Sequence, residues 1–339
     1  MKVLLDCPVP FQLAHGGAQI QIEQTKAALA AIGVDVDWLR WWDADQEGDV
    51  IHSFSRLPAA LIRFAHQKGI KVVIAELLTA QGSRAEWQHW MHKTVVRLAD
   101  KIVPGGVSSK FGWDSYQLAD TCIALTPWEA RLMHTLFGAS REKIHVVPNG
   151  VEAEFFQASK RERGPWLVCT ATITPRKRVV ELAEAAVQAR TPIWIIGKPY
   201  SDRDPYYECF MKIANANRDF IRFEGPVNDR ARLAEIYREA RGFVLLSTME
   251  SLSLSALEAA ACECPLLLSD LPWARVTFVD AASFCPITRD AASTAKSLRE
   301  FYDAAPTLHP PPKPMTWIEV AQQLKGIYGE LVAGKNIAP

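Results

Sequence analysis

Glu250 and Glu258 are the residues of this chain best placed to do chemistry. They lie in the run Glu250-Ser251-Leu252-Ser253-Leu254-Ser255-Ala256-Leu257-Glu258-Ala259-Ala260-Ala261, directly behind an apolar β-type run at 243–247 and at the opening of a helix-forming stretch. A helix N-terminus that follows a strand presents unpaired N–H groups and a partial positive charge, a setting suited to a phosphate. Two carboxylates with this spacing lie about 12 Å apart along a helix that rises ~1.5 Å per residue. That roughly matches a sugar–diphosphate–ribose unit, with Glu258 accepting the ribose hydroxyls and Glu250 reaching the sugar end. The same pattern also fits a helix capped by Glu250, with Glu258 on the surface or in an ion pair. Spacing alone leaves both readings open.

Composition narrows the setting. The 339 residues are about twice the usual domain size, so two domains are expected. Lys plus Arg equals Asp plus Glu at 38 each, without the basic surplus that a nucleic-acid partner requires. No run approaches the ~20 apolar residues of a membrane span. The opening Met1-Lys2-Val3-Leu4-Leu5-Asp6 is interrupted too early for a signal peptide and reads as a first buried strand. The seven Cys lack paired spacing, and Cys262-Glu263-Cys264 misses the CxxC pattern, so reduced thiols in a cytoplasmic protein are expected. No His/Cys cluster has metal spacing, and no GxSxG or Ser/His/Asp order points to hydrolysis.

The elements that must position the two glutamates follow from alternating apolar runs and amphipathic stretches. Strands are expected at 2–6, 34–38, 49–52, 71–75, 121–125 and 144–147, then at 166–171, 192–196, 220–223, 243–246 and 266–268. Most are continuously apolar, as parallel strands covered on both faces are. Helices are expected near 17–32, 55–68, 83–98 and 127–137, then near 178–189, 205–217, 229–240, 252–262 and 290–303. A polar segment, Ser159-Lys160-Arg161-Glu162-Arg163-Gly164-Pro165, reads as the hinge. A second break at 309–314 precedes a final helix with a Thr316/Glu319 capping box and an apolar stripe of Trp317, Val320, Leu324, Ile327 and Leu331. The expected architecture is two doubly wound, Rossmann-like α/β domains facing across a cleft, at 1–160 and 161–308, followed by a linker and crossover helix at 309–339 that packs back on the first domain. Ligands of such sheets sit beyond the carboxyl ends of the strands.

The Glu250–Glu258 segment, with Cys262-Glu263-Cys264-Pro265 behind it, resembles the Glu-seven-residues-Glu signature of family-4 (group 1) retaining glycosyltransferases of the GT-B fold. Other pieces resemble the family in its order. They are Gly16-Gly17 after the first strand, Ala124-Leu125-Thr126, Val146-Val147-Pro148-Asn149-Gly150-Val151, and Phe223-Glu224-Gly225-Pro226-Val227. The resemblance implies a nucleoside-diphosphate sugar as donor substrate, no metal or other cofactor, and transfer with retention to a glycan, lipid-linked or small-molecule acceptor. By carry-over, Glu258 binds the ribose and Glu250 contacts the donor sugar. The amides of Ser253 and Leu254 approach phosphate or sugar, Gly225 and Val227 lie near the base, and Gly16 and Gly17 let the first loop approach the diphosphate.

Two departures matter. Where the family carries a Gly-Arg-Leu element and a later Lys-Gly, this chain reads Thr170-Ala171-Thr172-Ile173-Thr174-Pro175-Arg176-Lys177-Arg178. Lys177 matches the lysine, Thr172 stands in the arginine's place, and Arg178 replaces the glycine. Arg176 or Arg178 is expected to substitute, because a guanidinium fork suits phosphate oxygens. The family histidine expected after the strand at 71–75 is replaced by Glu76, a candidate acceptor-side base. His15 and His52 are further candidate cleft residues.

Asp43-Ala44-Asp45 and Asp202-Arg203-Asp204 have the Asp-x-Asp spacing of metal-dependent transferases of another fold and read here as loop charges. Along 84–98, Trp87, Trp90, Met91 and Leu98 share a helical face with Arg84, His89, Lys93 and Arg97 around it. That pattern fits core packing or a peripheral contact with the inner membrane face. Two alternatives to transfer share the expected fold: a GT-B relative that binds a nucleotide sugar without transferring it, and a nucleotide-sugar epimerase.

Overall fold

The computed structural model describes residues 1–7, 10–11, 16–102, 110–157 and 162–334, with the side chains of 99–101 excepted. The chain divides into two units. Unit 1 comprises 1–150 and 317–339, and unit 2 comprises 151–316.

Unit 1 is built on six parallel strands: β1 (Lys2–Asp6), β2 (Asp35–Trp38), β3 (Val50–Ser53), β4 (Lys71–Ile74), β5 (Thr121–Ala124) and β6 (Ile144–Val146). They lie in the order β2-β1-β3-β4-β5-β6. Its main helices are α1 (Gly17–Ala31), α2 (Ala59–Gln67), α3 (Glu86–Ile102), α4 (Asp114–Leu118) and α5 (Pro127–Thr135). Thr126 caps α5 by accepting from Glu129 N at 3.2 Å, with Pro127 at the first helical position.

Unit 2 repeats the design with β7 (Leu167–Thr170), β8 (Ile193–Ile196), β9 (Ile221–Phe223), β10 (Gly242–Leu245), β11 (Leu266–Ser269) and β12 (Ser283–Cys285). These parallel strands lie in the order β12-β11-β10-β7-β8-β9. The covering helices are α6 (Val179–Gln188), α7 (Pro205–Ala216), α8 (Arg230–Glu239), α9 (Leu254–Ala261), α10 (Pro272–Phe278) and α11 (Ala291–Ala304). Val168, Ile195, Val244 and Leu267 are buried because helices cover both faces of the sheet.

The division falls at Gly150 and Trp317 rather than near 160 and 308. A Cβ on Gly150 would lie 2.6 Å from the Trp317 backbone, so the chain needs a glycine where it leaves unit 1 beside its own re-entry. The final helix, α12 (Trp317–Ala333), packs on α1 within unit 1. It buries Trp317, Val320, Leu324 and Tyr328, so Tyr328 takes the place expected of Ile327 and Leu331.

Tyr328 Oη shares a hydrogen bond of 2.6 Å with His52 Nδ1, at the core of unit 1. Burial pushes the His52 imidazole down to about 3, so the fold accepts it neutral. Below about 6.5 the unfolded chain gains a proton that the folded chain refuses. Stability should therefore fall as pH drops from about 6.5 toward 3, by up to about 1.4 kcal/mol per pH unit from this group. Urea unfolding between pH 7 and 4.5 checks this: His52→Gln should lose that part of the acid slope, and equal slopes in the two proteins would contradict it.

Candidate active site

In unit 2 the strand order reverses between β7 and β10, which are neighbours in the sheet. Their following loops therefore flank the point at which open α/β sheets bind ligands. The two loops are tied together, Thr248 N donating to Arg176 O at 2.8 Å. After β7, Pro175–Lys177 forms a single 3₁₀ turn that aims Arg176 and Lys177 at the β10 loop.

Both cations meet Glu250. Lys177 Nζ forms a close ion pair with Glu250 Oε1, and Arg176 Nη1 donates to the same oxygen at 3.1 Å and to Met249 O at 2.8 Å. Glu250 is only 8% exposed. Burial alone would raise its carboxyl, but the Lys177 and Arg176 charges outweigh it and hold the group below the usual range. Arg178 faces elsewhere, donating to Thr288 O at 2.7 Å. Its φ of 52° is left-handed, a backbone conformation that glycine adopts most readily. Arg176, not Arg178, thus stands beside Lys177. Thr172 is half-buried in the same loop.

Ser253 caps α9 by accepting from Ala256 N at 3.4 Å. The cap takes the Ala256 N–H, and the N–H groups of Leu254 and Ser255 open the helix with no preceding turn to accept them. Glu258 follows on α9 and is 3% exposed. Arg230 Nη2 donates to its Oε1 at 2.5 Å and Tyr237 Oη to its Oε2 at 3.3 Å, while Tyr237 also bonds Thr170 at 2.8 Å. Arg230 holds Glu152 as well, at 3.0 and 3.1 Å. Burial raises the Glu258 carboxyl above its ordinary value, a rise that Arg230 opposes.

The turn carrying Gly225 and Val227 precedes this group. Gly225 has φ 84°, and its carbonyl accepts from Gly197 N at 3.2 Å. A Cβ on Gly197 would lie 1.9 Å from Ala171 O, so only glycine lets β8 end beside the β7 loop. Asp229, accepting from Ala231 N and Arg232 N, then caps α8 and sets Arg230 at its first position. Arg230 and Tyr237 were not among the expected site residues. Their meeting with Glu258 joins two helices, and no spacing within either one signals it.

The remaining expected site residues belong to unit 1. Gly16, with φ 151°, is the N-cap of α1, and Gly17 is its first residue. His15 lies outside the described residues. His52 is the buried partner of Tyr328. Glu76 is engaged by Arg56 at 2.8 and 3.2 Å and by the Tyr116 hydroxyl at 2.5 Å, so it already receives three hydrogen bonds. Along α3 the apolar stripe faces outward: Trp87 is 61%, Trp90 68% and Leu98 56% exposed, while His89 and Val96 are buried on the opposite side. Core packing does not use that stripe.

Comparisons with known proteins bear on the family and the fold. Residues 150–323 match the family Glycosyl transferases group 1, and residues 37–155 match Glycosyltransferase Family 4. A D-inositol 3-phosphate glycosyltransferase of Kribbella flavida is 31% identical over 205 residues, covering 53% of this chain and 48% of the relative. Its counterpart in Acidothermus cellulolyticus is 28% identical over 246 residues, covering 65% and 51%. The chain thus spans about half the length of these curated relatives. Among solved structures, sucrose-phosphate synthase from Thermosynechococcus elongatus superposes with a TM-score of 0.67 at 17% identity, over 98% of this chain and 99% of the other. Anabaena HepE in complex with UDP superposes at 0.64 and 12% identity, over 97% and 99%. These likenesses show the fold, two Rossmann-like units of the GT-B type, and the first family match extends over just over half of the sequence. The chain belongs to the group 1 glycosyl transferases.

Proposed function

We propose that this glycosyltransferase moves a sugar from a nucleoside diphosphate to an acceptor hydroxyl with retained configuration, using protein cations where other transferases use a metal. The observation that carries the reading is the convergence of Lys177 and Arg176 on Glu250 at the unit 2 switch point, beside the N-terminus of α9. As the bond from the anomeric carbon to the diphosphate breaks, negative charge gathers on the leaving oxygen. Lys177, Arg176 and the first-turn amides of α9 are the groups that receive it. Glu250 keeps the two cations in register before the donor arrives and orients hydroxyls of the donor sugar. Glu258 accepts the ribose hydroxyls.

The acceptor oxygen bonds to the anomeric carbon on the face that the diphosphate leaves. The acceptor proton passes to the departing phosphate oxygen, and a nucleoside diphosphate is released. HepE structures in complex with UDP, and with UDP-glucose, support a uridine nucleotide as the carrier. The test is to offer a panel of nucleotide sugars with and without acceptors and to follow nucleoside diphosphate release. Acceptor-stimulated release is expected. Tight donor binding without turnover, or interconversion of the sugar, would overturn the proposal.

The outward stripe of α3 favours an acceptor met at a membrane. Arg84, Lys93 and Arg97 border Trp87, Trp90 and Leu98, the arrangement of an interfacial helix that lies on anionic lipid. No helix among the described residues is long and apolar enough to cross a membrane. Triple replacement of Trp87, Trp90 and Leu98 by Ser should reduce co-sedimentation with phosphatidylglycerol vesicles by about tenfold or more, given the apolar area withdrawn. Unchanged sedimentation would remove the membrane from the reading.

A further inference from the structure

Unit 1 has a switch point of its own, between β1 and β3, where the strand order reverses. Asp6 ends β1 there and is buried. Its Oδ2 accepts from Ser53 Oγ, at the end of β3, at 2.6 Å. Its Oδ1 accepts from the indole Nε1 of Trp41, just beyond β2, at 3.0 Å. A buried carboxylate thus fixes an indole of which half the surface stays open. Trp42 beside it is 82% exposed. Adjacent exposed indoles add nothing to a core, and apolar surface held open in this way marks a binding surface.

The surrounding charge says what binds. Asp43, Asp45 and Glu47 follow the pair along the same loop, and Arg40 precedes it. The Arg40 guanidinium is already occupied, by Asp37 at 2.7 Å and Asp43 at 2.9 Å. This face is aromatic and acidic, the reverse of the basic border along α3. The carboxylates of this loop disfavour an anionic ligand. A neutral pyranose suits it, because the ring offers an apolar C–H face to an indole and O–H donors to carboxylates.

We infer that Trp41, anchored through Asp6, and the neighbouring Trp42 form a subsite for a neutral pyranose ring of the acceptor. The inference rests on the sugar-transfer reading and adds to it the chemical class of the acceptor portion that unit 1 holds. Asp6 acts as a positioning residue: it holds Trp41 and does not touch the sugar.

Saturation-transfer NMR with maltose and with cellobiose tests the subsite, since an aromatic platform binds neutral pyranosides with little selectivity. At least one disaccharide should bind the intact protein. Trp42→Ala should weaken that binding about three- to tenfold, the loss of one aromatic stacking partner, while Trp42→Phe should retain most of it. Trp41→Phe keeps a ring but loses the indole N–H, and should weaken binding by loosening the platform. Binding of neither disaccharide would overturn the inference, as would unchanged binding in a folded Trp42→Ala protein. A Trp42→Ala effect on sedimentation with phosphatidylglycerol vesicles, with disaccharide binding intact, would assign the patch to membrane and also overturn it. Titrating UDP, GDP and ADP into the same intact protein separates the two claims. Nucleotide binding without disaccharide binding sinks the subsite alone, and the converse sinks the donor reading.

Discussion

Lys177→Ala should slow sugar transfer by about 10²–10³-fold, the usual cost of removing one preorganised group from a developing anion. Binding of the free nucleoside should change far less, because Lys177 is aimed at the diphosphate and not at base or ribose. The substitution also withdraws the cation that, with Arg176, offsets the burial of Glu250. The Glu250 carboxyl should rise, and the residual activity should be lost at a higher pH on the acid side. Rate constants measured at saturating donor, beside thermal unfolding of the same protein, distinguish this from simple destabilisation. If activity falls only in proportion to the folded fraction, Lys177 is a structural ion-pair partner and nothing more.

Glu258→Gln should raise the donor dissociation constant about ten- to a hundredfold, the ~1.5–3 kcal/mol of hydrogen bonds to a charged acceptor. The variant should fold, because Arg230 keeps Glu152 as a partner when the Glu258 charge is lost. Arg230 supplies a second handle on the same group. Burial raises the Glu258 carboxyl and Arg230 pulls it back, while Glu152, Tyr237 and Cys262 are further titratable groups facing it. With Arg230→Met the carboxyl should titrate at higher pH. Glu258 accepts best when ionised, so donor affinity should then be lost earlier as pH falls, and Arg230→Lys should restore most of the profile. Calorimetric titrations with UDP between pH 5.5 and 8.5 measure this. A pH-independent deficit in Arg230→Met would mean that the guanidinium contributes packing only.

Much of the architecture was legible in the chain. Continuous apolar runs such as Lys71–Ile74 and Leu266–Ser269 read as doubly covered parallel strands, and both lie in the sheets within a residue of the expected bounds. The strand Ser283–Cys285 went unseen because three residues with little apolar bias at a sheet edge carry almost no periodic signal. The helix Pro272–Phe278 was hidden likewise, since two turns are too few to display a stripe. A polar, charged segment near 160 resembles a hinge, whereas the division into compact units falls at Gly150 and Trp317. The feature that marks the crossing is instead a contact between Gly150 and Trp317, residues distant in sequence.

The site was legible in its local motifs and opaque in its long-range pairs. Lys177 and Glu250 were readable from their positions after strands, but their ion pair depends on β7 and β10 being neighbours, which only the reversal of strand order brings about. Arg176 could be separated from Arg178 only once the left-handed backbone at Arg178 was seen to turn that side chain toward Thr288. The stripe on α3 shows the limit of periodicity, which identifies an apolar face without saying whether protein covers it.

Hydrogen–deuterium exchange of the full chain, alone and with saturating UDP, GDP or ADP, addresses the diphosphate site most directly. At least one nucleotide should slow exchange in the segments 171–178, 224–227 and 247–258 together, with Lys177→Ala diminishing the effect in the first and third. Protection confined to other segments, or none with any of the three nucleotides, would contradict the assignment of unit 2 as the donor-binding half.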